Sequence, residues 1–308
     1  MERLVFGANV LGWTVSDTDA FALLDHCAAL GIRRFDTADH YVTWIPGGQG
    51  GESETILGKW LSARAIPDAE IVTKVGFPMG DGSKGLGRAH IRRSITGSLA
   101  RLRRDSVEIY MAHLEDPETP IEETVEAFAE LVAEGRTKAV GVSQLSEPVI
   151  DRAFSYAARR GLPCFTVYET LYNLYEREPF ESQGARIAAR YGMRVLPYRS
   201  LAAGFLTGKY RSADDLCGKA RGARVGAFLD ARGLRVLAAL DAVAAETGYT
   251  PARIAIAWLA ARPLVSAILA SATTAEQIDE QLAGSAIVLD PAHVALLDAA
   301  SAIGVGEG

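Results

Sequence analysis

The hydrophobic pattern of the chain alternates between two periods. Short runs rich in β-branched and aliphatic residues recur at Leu4–Val10, Arg33–Thr37, Ile71–Val75, Val107–His113, Ala139–Ser143, Cys164–Glu169, Arg194–Tyr198 and Ser266–Ala270, and read as strands. Between them apolar positions fall three or four apart, the spacing of a helix with one buried stripe. Several helical stretches carry their own stops. Ser16 is placed to cap a helix with apolar positions Phe21, Leu24 and Leu30, and Gly31 follows as its end. Thr124–Glu134 runs into Gly135, Pro148–Arg160 into Gly161, and Ser182–Tyr191 into Gly192, each a glycine suited to the left-handed residue that closes a helix. Strand then helix, about eight times over with short connections, predicts an α/β fold: a single eight-stranded parallel (β/α)8 TIM barrel. An open doubly wound sheet would carry a G-x-G-x-x-G turn after its first strand; the segment LVFGANVLG has none.

Two connections break the rhythm. The loop YVTWIPGGQGG runs from Tyr41 to Gly51, and a longer Gly-, Arg- and Ala-rich stretch spans Leu201 to Arg235. Both follow strands, on the face where barrels build active sites, and long loops there usually cover ligands. No linker-like shift in composition interrupts residues 1–308, so one domain is expected over the whole chain.

Composition narrows the partners. With 49% hydrophobic and 23% charged residues the chain has the material for a large core. A net charge of −6 leaves no surplus of cations for nucleic acid. The local run Arg101–Arg104, late in a predicted helix, is expected to face the negative end of that helix. The three cysteines, Cys27, Cys164 and Cys217, lie far apart, and no Cys or His spacing suits a metal. Cys27 and Cys164 sit in apolar segments and read as small buried hydrophobes. The N-terminal segment MERLVFGANVLGW lacks a signal pattern, and no apolar run approaches the ~18 residues of a membrane span. A cytoplasmic location without nucleic-acid or membrane partners is expected; oligomeric state is left open.

The candidate chemistry lies at the ends of consecutive strands. FDTADHY puts Asp36 at the end of the second strand and Tyr41 just beyond it; IVTKVG puts Lys74 at the end of the third; EIYMAHLED puts His113 at the end of the fourth. A lone strand-end lysine is usually solvated, and a lone histidine in an apolar strand usually a hydrogen-bonded core residue. In a parallel barrel, however, all these ends open on one mouth, so acid, phenol, ammonium and imidazole converge.

These segments, with Y-x-x-H in the fourth strand, GVSQLS, LYNLYER, VLPYRSLAAGFLTGKY and SATTAEQIDEQ in order along the chain, resemble the aldo-keto reductase family. The resemblance implies a catalytic tetrad of Asp36, Tyr41, Lys74 and His113. It implies an oxidoreductase that moves hydride from NAD(P)H to the carbonyl of a small aldehyde or ketone, or back, with NADP(H) favoured over NAD(H). Tyrosine, pKa ~10, is the general acid, and a neighbouring ammonium is expected to lower that pKa. Asp36 would keep Lys74 charged, and His113 would orient the carbonyl oxygen. For the cofactor the resemblance assigns Ser143, Gln144 and Glu169 to the carboxamide and Tyr198 to the ring. It gives Arg199, Ser200, Leu201, Ala202, Gly204 and Lys209 to the diphosphate cover, and Ser271, Ala272, Thr273, Gln277, Glu280 and Gln281 to the adenosine end, where a helix opens at Thr273–Thr274. Trp13, Trp44 and Glu115 are expected as substrate walls. An alternative is a nicotinamide-binding regulatory protein with little turnover, as the potassium-channel β subunits of this family suggest.

Three positions depart from the family pattern: Gln144 for the usual Asn, Glu169 for the usual Gln, and Arg199 for a small residue. Glu169 and Arg199 end adjacent predicted strands and are expected to form an ion pair beside the nicotinamide. At the adenosine end, Thr274 takes a place where many members carry Arg or Lys for the 2′-phosphate.

Overall fold

The computed structural model describes residues 3–219 and 221–302; the remaining positions of the expected domain lie outside the described residues. Eight parallel strands form: β1 (Leu4–Gly7), β2 (Arg34–Asp36), β3 (Glu70–Val75), β4 (Val107–Ala112), β5 (Thr137–Ser143), β6 (Val167–Leu171), β7 (Arg194–Tyr198) and β8 (Ile268–Ala270). They hydrogen-bond in the order β7-β6-β5-β4-β3-β2-β1-β8. The sheet curls until β7 meets the residues ahead of β8. There Val195 bridges Val265, and the Ser266 N–H donates to the Val195 carbonyl at 2.9 Å. The barrel expected from the alternating periods is the fold that forms.

The helices follow the stops read from sequence. They are α1 (Asp17–Ala29), α2 (Glu52–Arg64), α3 (Arg88–Leu102), α4 (Ile121–Ala133), α5 (Glu147–Arg160) and α6 (Ala185–Tyr191), then α7 (Gly222–Gly226), α8 (Ala231–Thr247) and α9 (Pro251–Ala260) between β7 and β8, and α10 (Ala275–Ala286) and α11 (Pro291–Ser301) after β8. Ser16 caps α1 by accepting from the Asp19 N–H, and α5 and α6 close on left-handed Gly161 and Gly192. Several expected bounds shift: α4 starts at Ile121 rather than Thr124, α6 at Ala185 rather than Ser182, and β8 at Ile268 rather than Ser266. β1 ends at Gly7, because Ala8–Val10 tighten into a 3₁₀ turn. β6 starts three residues late and runs on to Leu171, which pairs with Tyr198. Among the described residues no single helix is long and apolar enough to cross a membrane. Cys27 is buried as expected, Cys164 only half-buried.

The pleat fixes what the barrel holds. Alternate strand residues point inward, and Val5, Val72, Ile109, Met111, Val167, Leu196, Ala267 and Leu269 pack together there as an inner core. Gly141 leaves Met111 its space, since a Cβ there would lie 2.8 Å from the methionine methyl. The opposite strand faces and the helices share the larger outer core. Behind β3 one polar group is buried in that layer. Glu54 of α2, fully buried, accepts from the Thr73 hydroxyl at 2.5 Å and from Arg101 Nε at 2.7 Å. Arg101 thus turns away from the helix end it was expected to serve, because an uncompensated carboxylate at Glu54 would cost far more than a helix-end contact returns.

Candidate active site

One step beyond the inner core, the same alternation produces a polar ring. Asp36 on β2, Lys74 on β3, Ser143 on β5, Glu169 on β6 and Tyr198 on β7 each lie two residues past an inward position, as do His113 just after β4 and Ser271 just after β8. Tyr41 reaches the ring from the loop after β2, in a turn where its N–H donates to the Ala38 carbonyl at 3.3 Å.

Four groups meet there in one hydrogen-bonded knot. The Lys74 ammonium donates to Asp36 Oδ1 at 2.6 Å, to the Thr37 carbonyl at 2.8 Å and to the Tyr41 oxygen at 3.2 Å. The Tyr41 hydroxyl in turn donates to Asp36 Oδ1 at 3.3 Å. Lys74 and Asp36 have no solvent-exposed surface. Burial works against the charge on Lys74, but Asp36, with Glu169 after it, outweighs this and holds the amine above its ordinary range. Burial raises the Tyr41 phenol as well, and Lys74 only partly opposes this. The expected lowering by the ammonium is therefore not the net effect in the ligand-free site: the phenol is firmly protonated, the form that donates. Burial, then Lys74, holds the His113 imidazole well below its usual range, so the ring is neutral. Its Nδ1 is buried without a partner.

An aromatic wall surrounds the knot. Trp44 packs edge-on against Tyr41 (5.8 Å between ring centres) and against Trp13 (5.6 Å). His40 stacks on Phe77 at 4.4 Å and meets His113 edge-on at 4.7 Å. Burial drives the His40 pKa down to about 3, which keeps that ring neutral too. His40 and Phe77 were not singled out in the sequence, although one stands inside FDTADHY and the other directly after TKVG. Trp13 carries the Arg221 guanidinium over its face at 5.3 Å. Glu115, expected as a wall, instead accepts from the Ser146 N–H at 2.7 Å at the start of α5, where no side chain of Ser146 itself caps the helix.

The residues assigned to a cofactor stand near or after the ends of β5, β6, β7 and β8. The Ser143 hydroxyl is fully buried and has no partner. Ser200 donates to the Leu269 carbonyl at 2.7 Å and so ties the end of β7 to β8. After Leu201 the backbone turns left-handed at three successive residues, Ala202 (φ 47°), Ala203 (φ 57°) and Gly204 (φ 98°), and the N–H groups of Ala202 and Gly204 are held within the turn by the Arg199 and Leu201 carbonyls at 2.7 and 2.8 Å. Lys209 returns over it: a Cβ on Gly204 would lie 3.8 Å from Lys209 Nζ. At the other end Thr274 caps α10. Gln277 accepts from the Thr273 N–H at 2.9 Å, and Gln281 donates to the Ser271 carbonyl at 3.0 Å, while Ser271 donates to Asn9 at 2.6 Å. Ala272 is buried beside them. Glu280 pairs with Arg253.

A profile of the Aldo/keto reductase family matches residues 3–302. The chain belongs to that family. Among its relatives, a rice protein named a probable voltage-gated potassium channel subunit beta is 32% identical over 92% of this chain and 87% of its own. The uncharacterized oxidoreductase YrpG of Bacillus subtilis is 29% identical over 97% of this chain and 91% of its own, and the Escherichia coli protein Tas 28% over 90% and 88%. The family uses nicotinamide cofactors. The orphaned buried hydroxyl of Ser143 is a group that the carboxamide of such a cofactor would satisfy.

The departures from the family pattern resolve differently from one another. Gln144 spends its longer reach on the His113 carbonyl, donating at 3.3 Å. Glu169 does not pair with Arg199; no ion pair joins them among the described residues. Arg199 follows β7 in a left-handed conformation (φ 56°), its carbonyl held by Asn173 at 3.0 Å and its guanidinium over the Tyr198 ring. Glu169 points into the barrel, 2% exposed, with Oε2 3.6 Å from Lys74 Nζ.

Proposed function

We propose that this protein is a carbonyl reductase that uses NADP(H), in preference to NAD(H), on small aldehydes or ketones with an apolar or aromatic part. The knot of Tyr41, Lys74 and Asp36 beside a neutral His113 carries the reading. When bound, the cofactor supplies hydride to the carbonyl carbon or takes it back. Tyr41 gives its proton to the substrate oxygen as negative charge develops there, the contribution of a positioned general acid. Lys74 stabilises the phenolate left behind, and Asp36 with the Thr37 carbonyl fixes the ammonium so that no reorganisation is needed at that moment. A neutral His113 donates to the same oxygen and orients it. Ser143 and Gln144 would hold the carboxamide, Tyr198 the ring, Ser200–Gly204 with Lys209 the diphosphate, and Ser271–Thr273 with Gln277 and Gln281 the adenosine end. Preference for NADP(H) rests on the habit of the family. Trp13, Trp44, His40 and Phe77 favour a substrate with an apolar body.

The printed names of the channel-subunit relatives favour a second reading, a nicotinamide-binding regulatory protein. Consumption of NADPH against a panel of aldehydes and ketones, beside direct measurement of NADPH binding, separates the two. Turnover supports the reductase. Tight binding with no turnover on any carbonyl supports the regulator.

A further inference from the structure

Glu169 presents a charge problem that the tetrad does not solve. Two carboxyls and one ammonium share a space closed to water: Asp36 and Lys74 are fully buried and Glu169 is 2% exposed. Lys74 has three protons to donate, and its closest acceptors are Asp36 Oδ1, the Thr37 carbonyl and the Tyr41 oxygen. Glu169 Oε2, at 3.6 Å, lies beyond hydrogen-bond reach of the ammonium. Asp36 Oδ2 and Glu169 Oε2 are both buried with no donor assigned to them. Two ionised carboxylates around one ammonium would leave a net buried charge, which a low-dielectric interior does not tolerate. One proton held by the two carboxyls removes that charge, the arrangement of a carboxyl pair that shares a proton.

Resting on the reductase reading, we propose that Glu169 is a fifth, proton-carrying member of the catalytic network, which shares its proton with Asp36 and releases it through Lys74 to refill Tyr41 after the phenol has protonated the substrate. Geometry decides which carboxyl holds the proton. The one at 2.6 Å from the ammonium stays ionised and the one at 3.6 Å is neutral. Burial, then the Asp36 carboxylate, lifts Glu169 well above the usual carboxylate range; burial raises Asp36 as well, with Lys74 opposing that rise. The other groups facing Glu169 do not supply a cation. Ser143 lies beside it on β5, neutral His113 and Tyr41 face the same mouth, Tyr198 stands on β7, and Arg199 turns away.

The steps balance as proton shifts alone. Tyr41 O–H gives its proton to the substrate oxygen, Lys74 gives one to the phenolate, and Glu169, closing the 3.6 Å gap to hydrogen-bond distance, gives one to the Lys74 amine. Tyr41 and Lys74 are restored and Glu169 is left as a carboxylate, to be reprotonated from solvent before the next cycle. Glu169 touches neither substrate nor the reacting atoms in this scheme; it is a positioning residue that acts through Lys74.

Infrared spectroscopy of the ligand-free protein tests the resting state without requiring activity. The wild type is expected to show the carbonyl stretch of an un-ionised carboxylic acid at neutral pH. The band should shift on deuteration, disappear at high pH, and be missing from Glu169→Gln. In the wild-type chain ¹³C-labelled glutamate should move the band, which assigns it to a glutamate and separates it from the buried, unpartnered Asp39. No band that moves with ¹³C-glutamate, or such a band that survives Glu169→Gln, overturns the proposal whatever the activity. On the best carbonyl substrate, Glu169→Gln should keep its first, single turnover at the wild-type rate. Its steady-state rate should fall about tenfold and gain a dependence on buffer concentration, less than the ~10²–10⁴ expected for the donor itself. Equal steady-state rates would overturn the relay. A band assigned to Glu169 in a protein that turns over no carbonyl would count against the reductase reading, not against the shared proton.

Discussion

Replacing Lys74 with Met removes the only cation from the knot and leaves two carboxyls facing each other in a dry space. At 2.6 Å from Asp36, and with an effective dielectric of ~20, the lost pairing is worth about 6 kcal/mol. The variant cannot lose that much stability, because Asp36 has an escape: it takes up a proton. Protonating a carboxyl of ordinary pKa ~3.9 at pH 7 costs about 4 kcal/mol, which caps the loss and falls within the ~3–5 kcal/mol typical of a broken buried pair. The cap drops by about 1.4 kcal/mol for each pH unit below that. Between about pH 4 and its folded pKa, Asp36 in the variant binds a proton that the unfolded chain does not, so stability declines as pH rises. In the wild type Lys74 stays protonated both folded and unfolded across this range, since its folded pKa is raised, and it adds no slope. Urea unfolding of both proteins at pH 5, 6, 7 and 8 is expected to give a stability difference of about 4 kcal/mol at pH 7 that shrinks to about 1.5 kcal/mol at pH 5. A difference that does not change with pH would refute the coupling of Lys74 to Asp36.

Other consequences follow from the same geometry. Arg101→Met leaves Glu54 buried without its cation and should cost about 3 kcal/mol at neutral pH; denaturant midpoints check this, and a loss below about 0.5 kcal/mol would mean that the pair is only a surface contact. Nitrogen-15 NMR of the imidazoles should find His113 neutral down to pH 5, since burial depresses its pKa; an imidazolium signal at that pH would contradict the neutral donor assigned to it. Ser143→Ala should weaken NADPH binding by a factor of about 5, near 1 kcal/mol, with little change in stability. Calorimetric titration reads this, and unaltered affinity would remove Ser143 from the carboxamide site.

Much of the fold was legible because two periods of apolar spacing, punctuated by glycine stops, leave few architectures open. That Asp36, Tyr41, Lys74 and His113 converge on one mouth was legible for the same reason. Once Val72 and Met111 are taken as inward residues, Lys74 and His113 must follow them into the mouth. What failed was pairing. Glu169 and Arg199 end neighbouring strands, so proximity along the sheet suggested an ion pair. The register, however, sets Glu169 against Leu196, and Arg199 lies beyond the strand in a left-handed turn. The partner of Glu169 is across the barrel, on β3, a relation that sequence spacing does not express. Tyr41 shows a second limit. The sequence supplies the neighbouring ammonium but not the degree of burial, and burial decides the direction in which the phenol shifts. Arg101 shows a third, since its partner Glu54 lies on the preceding helix, 47 positions earlier.

Paired measurement of NADPH oxidation and NADPH binding in the wild type and in Tyr41→Phe tests the central claim most directly. The wild type is expected to oxidise NADPH in step with reduction of an aromatic or apolar aldehyde or ketone. The variant should bind NADPH with unchanged affinity while turnover falls by ~10² or more, the share of a general acid in such a step. Wild-type turnover in Tyr41→Phe, or NADPH bound by the wild type and never oxidised with any carbonyl offered, would contradict the account.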